Sequence, residues 1–307
     1  MKEVCDRFVL VLTAQAGTQG ERSDRWLLDP PPSPGRRQCV DFSRHSRVAV
    51  TSAALLDPDE PDPVTFDNEA GGSVFFLACD HAGRAIPRSL GRLGLPEAET
   101  VRHIAWDIGI GAVGQYLSPQ LDAALIRQHY SRLVIDCNRD PSVPSSIPEV
   151  SETTEIPGNR GLTDGDRAAR VEAIFRPYHD RISEALDRRA TESRESVLVA
   201  LHSFTPVFKG VSRPWHAAVL FNRDRRFAHI LARLLRAEGG LVIGENEPYA
   251  VTDLTDYTVP VHAERRGLPY VEIEIRQDLV AGLAGQAVWA DRLARLLPAA
   301  YAEFPRA

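Results

Sequence analysis

From Leu55 onward, short unbroken apolar runs alternate with stretches of helical period, and this alternation limits the fold more than any other feature of the chain. Val74-Phe75-Phe76-Leu77-Ala78-Cys79 is the first such run. Residues 133–137, 197–201, 217–221, 241–243 and 270–275 read the same way. A short continuous apolar run is what a strand buried on both faces requires. Helical patterns fill the gaps at about 97–117, 164–189, 225–237 and 286–304. In the second of these, Ala168, Val171, Ile174, Phe175, Tyr178, Ile182 and Leu186 fall on one face, and Pro177 predicts a kink. Strands and helices in turn predict an α/β fold, a mostly parallel mixed sheet flanked by helices. Residues 55–307 read as a single domain, with no internal repeat.

Residues 1–54 follow no such pattern. Asp29-Pro30-Pro31-Pro32-Ser33-Pro34-Gly35 can continue neither a helix nor a central strand. Arg36, Arg37, Arg44 and Arg47 lie among small polar residues without period. The stretch reads as a poorly ordered extension. The alternative is an over-long gene reading, with the true start near Val48 or Val50, because Met1 is the only methionine. Intact mass of the native protein distinguishes the two. A secretion signal is disfavoured: the apolar stretch from Phe8 to Ala14 is short, and Glu3 and Asp6 spoil a positive leader.

Composition narrows the function classes. Lysine and arginine total 36 against 42 aspartates and glutamates, a net charge of −6, which disfavours a dedicated nucleic-acid binder. No apolar run approaches the roughly 20 residues of a membrane span. The four cysteines, Cys5, Cys39, Cys79 and Cys137, form no CxxC pair, so neither a thiolate zinc site nor a disulfide framework is expected, and the cytoplasm is the default compartment.

Ligands of open α/β sheets bind at the carboxyl ends of strands, so the residues that follow each run carry the functional information. Asp80-His81-Ala82-Gly83 follows the first run, Asn138-Arg139-Asp140 the second, and His202-Ser203-Phe204-Thr205-Pro206 the third. Glu272, Glu274 and Arg276 alternate with Ile273 and Ile275 and share one strand face. Each has an ordinary reading as well: a satisfied polar histidine, common loop residues, or the solvated face of an edge strand. Two imidazoles and a carboxylate suit a catalytic Zn²⁺ with an open position. The third ligand is open among Asp107, Asp80 and Glu152. Asp107, near the start of a helical pattern, also fits a simple helix-dipole role.

At these residues the chain resembles the N-formylglutamate amidohydrolase family. The resemblance rests on Cys79-Asp80-His81-Ala82-Gly83, His103-Ile104-Ala105-Trp106-Asp107, Tyr130 through Arg139, and Ile156-Pro157-Gly158-Asn159. Pro177-Tyr178-His179, His202 through Pro206, Arg213-Pro214-Trp215, Asn246-Glu247-Pro248-Tyr249 and Glu274 through Asp278 extend it. It runs from about Leu55 to the C-terminus. The histidine-degradation deformylases read more like Pro-His-Ser-Gly around the first histidine, where this chain has Asp80 and Ala82 as neighbours. That difference puts the substrate, not the metal chemistry, in question. A wider similarity is to zinc carboxypeptidases. It covers His202-Ser203, Glu274-Ile275-Arg276 and Asn138-Arg139, and it implies their three-layer sandwich. The glutamate of their His-x-x-Glu motif is missing, since Arg84 stands at that position.

The resemblance implies hydrolysis of a linear amide, N-formyl-L-glutamate or a close N-acyl amino acid. It implies zinc on His81, Asp107 and His202, Glu274 as the base, and Arg132 or Arg213 beside the oxyanion. Asn138 and Arg139, then Arg213 and Arg276, are implied as carboxylate donors. His179, His262 and His103 are expected in supporting or core positions, and Trp215 and Tyr249 on loops over the mouth. The alternatives are a carboxypeptidase-like peptidase, an amidase for another N-acyl substrate, or a metal-stabilised binding module without catalysis.

Overall fold

The computed structural model describes residues 55–305; the expectations for residues 1–54 lie outside the described residues. The strands are β1 (Val64–Asp67), β2 (Phe75–Cys79), β3 (Ala124–Gln128), β4 (Val150–Ser151), β5 (Thr154–Glu155), β6 (Val197–Phe204), β7 (Val207–Phe208), β8 (Val211–Ser212), β9 (Ala217–Leu220), β10 (Ile243–Glu245) and β11 (Tyr270–Arg276). The α-helices are α1 (Glu97–Thr100), α2 (Ile110–Leu121), α3 (Asp164–Arg170), α4 (Arg176–Thr191), α5 (Arg226–Ala237) and α6 (Leu283–Glu303). None is long and apolar enough to cross a membrane.

Seven strands form one mixed sheet in the order β1-β3-β2-β6-β11-β9-β10. The central strands β3, β2, β6 and β11 are mutually parallel. β1 runs antiparallel on one edge, while β9 and β10 run antiparallel to β11 on the other side. The sheet divides the core into two layers by side-chain parity. Leu77, Val199, Leu201, Val271 and Ile273 pack with α2, α5 and α6 on one face. Phe76, Ala78, Leu198, Ala200 and Tyr270 pack on the other with Ile174, Tyr178 and Ile182 from around α4. The α/β class with a flanked, mostly parallel sheet is therefore the fold observed.

Two local expectations are corrected. Residues 133–137 are not a strand. They form a buried turn whose carbonyls are satisfied by side chains instead of a ladder. Arg170 donates to the Val134 carbonyl at 2.8 Å, Asn159 to the Leu133 carbonyl at 2.8 Å, and His179 Nε2 lies 2.8 Å from the Cys137 carbonyl. Buried apolar residues and satisfied backbone thus coexist without a sheet, which apolar patterning cannot distinguish. The strands not read from the sequence are β1, β3 and the two-residue β4, β5, β7 and β8; in β3, Arg127 and Gln128 interrupt the apolar pattern.

The helical stretch 97–117 is also broken, into α1 and α2. Gly109 at the start of α2 has φ +83°, a left-handed conformation. A Cβ there would lie 2.0 Å from the Val280 carbonyl oxygen. In the helical stretch 164–191, Pro177 falls at the start of α4, just after a π-helical turn over Val171–Phe175 that continues from α3. Gly109→Ala is expected to cost at least about 2 kcal/mol, because positive φ and a backbone clash add. Denaturant unfolding checks this; a wild-type midpoint would show that the loop yields freely.

Candidate active site

The second core layer ends in polar groups at the carboxyl ends of the parallel strands. His202 and Glu274 continue the parity of Ala200 and Tyr270, and they stand directly opposite each other in the β6–β11 register. His81 follows β2. Asp107 sits in the turn before α2, its backbone N–H donating to the His81 carbonyl at 3.0 Å. All four residues are buried.

His81, Asp107 and His202 converge so that one ligand atom from each lies within 4.8 Å of the others. Asp107 Oδ2 is 3.0 Å from His202 Nδ1 and 3.5 Å from His81 Nδ1. Tetrahedral ligands at zinc bond lengths are separated by about 3.3 Å, so these spacings suit a shared cation. His81 Nδ1 is buried and has no hydrogen-bond partner among the described residues. The far nitrogens face carboxylates: His81 Nε2 lies 2.7 Å from Asp136 Oδ1, and His202 Nε2 lies 3.2 Å from Asp80 Oδ2. With the proton on Nε2, the Nδ1 lone pair of each ring is left for the cluster. This carboxylate–imidazole pattern commonly orients metal-binding histidines. The buried His-Asp-His group can bind a metal.

The supporting carboxylates are themselves fixed. Arg132 donates to Asp136 Oδ2 from Nη2 at 2.7 Å and from Nε at 3.1 Å, and Thr258 donates to Asp80 at 2.7 Å. Burial alone would raise the carboxyls of Asp107 and Asp136. Without an ion both rings can take a second proton on Nδ1; the His81 charge and the hydrogen bond from His202 then hold Asp107 down, and the charges of Arg132 and His81 hold Asp136 well below the carboxylate range. Glu274 differs. Burial outweighs the nearby positive charges and pushes its carboxyl up to about 8, and its Oε2 has no hydrogen-bond partner among the described residues.

These groups border a cavity of about 410 Å³, as do Arg132, Asn138, Arg139 and Glu272. Arg139 donates from Nη1 to the carbonyls of Asn138 and Thr255. The Asn138 side chain is engaged within the protein: its amide donates to Asp256 at 3.1 Å, and its oxygen accepts from the backbone of Tyr257 and Thr258. Arg213 and Arg276 do not border the cavity. Arg213 lies behind Tyr249, donating to its hydroxyl at 2.7 Å and packing over the Phe208 ring. Arg276 turns to Asp278 at 2.7 Å and to the carbonyls of residues 213–215.

Tyr249 borders the cavity and Trp215 does not. Glu152 borders the mouth, between Arg102 and His103, away from the cluster. Asp80 stands behind His202. His179 and His262 stack apart from the cluster, with Nδ1 and Nε2 2.8 Å apart. Nor is β11 an edge strand: it lies between β6 and β9, and both of its glutamates are buried. Asp136 was missed by sequence reasoning. It was read as part of an apolar run, although a lone acid inside that run was a signal.

The profile of the N-formylglutamate amidohydrolase family matches residues 73–281. No curated protein matches the sequence. Among solved structures, a gene product of Agrobacterium tumefaciens shares 39% identity at a TM-score of 0.78, covering 81% of this chain and 98% of the other. The N-formylglutamate amidohydrolase from Ralstonia eutropha shares 18% identity at a TM-score of 0.59, over 79% of this chain and 98% of its own, a likeness of fold. The family match spans more than two thirds of the sequence and includes the cavity and its buried His-Asp-His group. The chain belongs to the N-formylglutamate amidohydrolase family and is a hydrolase of amide bonds.

Proposed function

We propose that the protein is a metal-dependent amidohydrolase that removes the N-formyl or N-acyl group of an amino acid, with N-formyl-L-glutamate as the reference substrate. The observation that carries this reading is the convergence of His81, Asp107 and His202 beside Glu274 in one cavity. A divalent cation on His81, Asp107 and His202, zinc by the donor set, would supply Lewis acidity for the amide carbonyl and for water.

The chain's own residues do the rest. Glu274, buried with one oxygen unpartnered, takes the proton of the attacking water and returns it to the leaving nitrogen. Its position opposite His202, one of the three residues that would hold the cation, supports that role. Arg132 Nη1 lies 3.4 Å from Asp107 Oδ1, and its charge faces the oxyanion that grows in the transition state. Asp136 and Asp80 hold the imidazoles in orientation. Arg139 meets the substrate's α-carboxylate, while Asn138 fixes the 256–258 segment beside it. Arg213 and Arg276 act only through the walls they brace.

Metal analysis paired with formate release from N-formyl-L-glutamate and other N-formyl amino acids tests the proposal. About one divalent ion per chain and metal-dependent formate release are expected; metal without hydrolysis of any of them would remove the enzymatic reading. Arg139→Ala is expected to raise KM about tenfold or more with kcat little changed, because a ground-state carboxylate contact is lost. Steady-state kinetics check this, and an unchanged KM would take Arg139 out of that role.

A further inference from the structure

The turn over residues 133–137 carries much of the site, yet no strand ladder holds it. Arg132 precedes it, Asp136 lies within it, and Asn138 and Arg139 follow it; all four border the cavity. The position of such a segment depends on the side chains that bond its carbonyls. One of these is Arg170, the last residue of α3, which is 1% exposed. Its Nη1 donates to the Val134 carbonyl at 2.8 Å and to Asn159 Oδ1 at 2.7 Å, and its Nη2 reaches the Gly158 carbonyl at 3.3 Å. With its oxygen taken by Arg170, Asn159 turns its amide hydrogens to two further carbonyls, Leu133 at 2.8 Å and Pro148 at 2.7 Å. Pro148 also borders the cavity.

The bonded partners of this buried guanidinium are carbonyls and an amide oxygen, with no carboxylate among them. Burying a charge in this way costs stability that an apolar side chain would not. What arginine supplies is a rigid fork of donors that meets the turn and Asn159 together. Val134 stands two residues from Arg132 and two from Asp136, at most about 7 Å of chain in either direction. Asp136 Oδ1 lies 2.7 Å from His81 Nε2. Such a bond is lost beyond about 3.5 Å, so a shift of the turn by about 1 Å is enough to break it.

We propose that Arg170 is a positioning residue: by holding the turn at Val134 it sets the Asp136 carboxylate against His81, and so fixes the ring that turns its other nitrogen to the cation. The proposal rests on the amidohydrolase reading, whose cation site it helps to build.

The experiment is a double-mutant cycle on the full chain with Arg170→Met, Asp136→Ala and the two combined. Zn²⁺ affinity is read by competition with a chelator, and formate release from N-formyl-L-glutamate is followed in parallel. Each single substitution is expected to weaken Zn²⁺ binding about tenfold or more. The double variant is expected to stay within about threefold of Asp136→Ala, because Arg170 then has no carboxylate left to place. A role in the fold alone would not give that coupling. Losses that multiply, or Zn²⁺ bound by Arg170→Met as tightly as by the wild type, would overturn the proposal. Arg170→Lys is the second variant and decides the cycle where Arg170→Met does not fold. It keeps the charge without the fork, and its Zn²⁺ loss is expected to be smaller and to vanish likewise in the Asp136→Ala background. Failure of both variants to fold would assign Arg170 to the fold and refute the proposal. Zn²⁺ bound by the wild type without formate release would remove the amidohydrolase reading and leave the cycle to decide this inference alone. A wild type that takes up no Zn²⁺ would overturn both.

Discussion

Glu274→Gln is expected to lower kcat at least a hundredfold while leaving the divalent ion bound and KM within a few-fold. The substitution keeps the size and polarity of the side chain and removes only its capacity to carry a proton, which acts in the transition state rather than in substrate binding. The two consequences separate because Glu274, although the cross-strand neighbour of His202, is not a member of the His81–Asp107–His202 group. Steady-state kinetics with metal analysis of the same preparation check both. A variant with near-normal turnover would take Glu274 out of the base role. A variant that loses its ion together with its activity would make Glu274 part of the cation site.

His202→Ala is expected to do what Glu274→Gln does not. Ion content should fall below about a tenth of wild type, and activity about a thousandfold or more, since the site would keep one imidazole and one carboxylate where three protein ligands are usual. The variant also leaves the carboxylates of Asp80 and Asp107 without the imidazole between them. Stability of the ion-free protein should therefore drop as well, by about 3 kcal/mol or more. Unfolding measured on ion-free wild type and variant separates that loss from the loss of bound ion. Full ion occupancy in His202→Ala would contradict the proposed ligand set.

The sheet was legible where strands are buried on both faces. β2, β6, β9 and β11 each show an unbroken apolar run or one interrupted only by the site residues themselves. β3 was not legible, because Arg127 points toward Asp67 of the edge strand and so breaks the run. Residues 133–137 misled for the opposite reason: an apolar run was buried by Arg170, Asn159 and His179, three polar side chains distant in sequence that bond its carbonyls. The site followed the same logic. His81, His202 and Glu274 end or follow buried strands and could be named from sequence, whereas Asp107 needed the family resemblance. Asp80 and Asp136 could not be assigned, because a supporting carboxylate is defined by which ring nitrogen it meets. Arg276 shares a face with Glu274 along β11, yet the strand ends there and its guanidinium folds back to Asp278, a turn that parity cannot foresee.

The pairing of β6 with β11 sets His202 and Glu274 opposite each other in a hydrogen-bonded ladder at the centre of the sheet. Their spacing is dictated by strand register, while other walls of the cavity come from β4, β7 and the segments around Tyr249 and Thr255. Such a division lets evolution reshape the cavity by exchanging peripheral loops, without re-aligning His202 and Glu274.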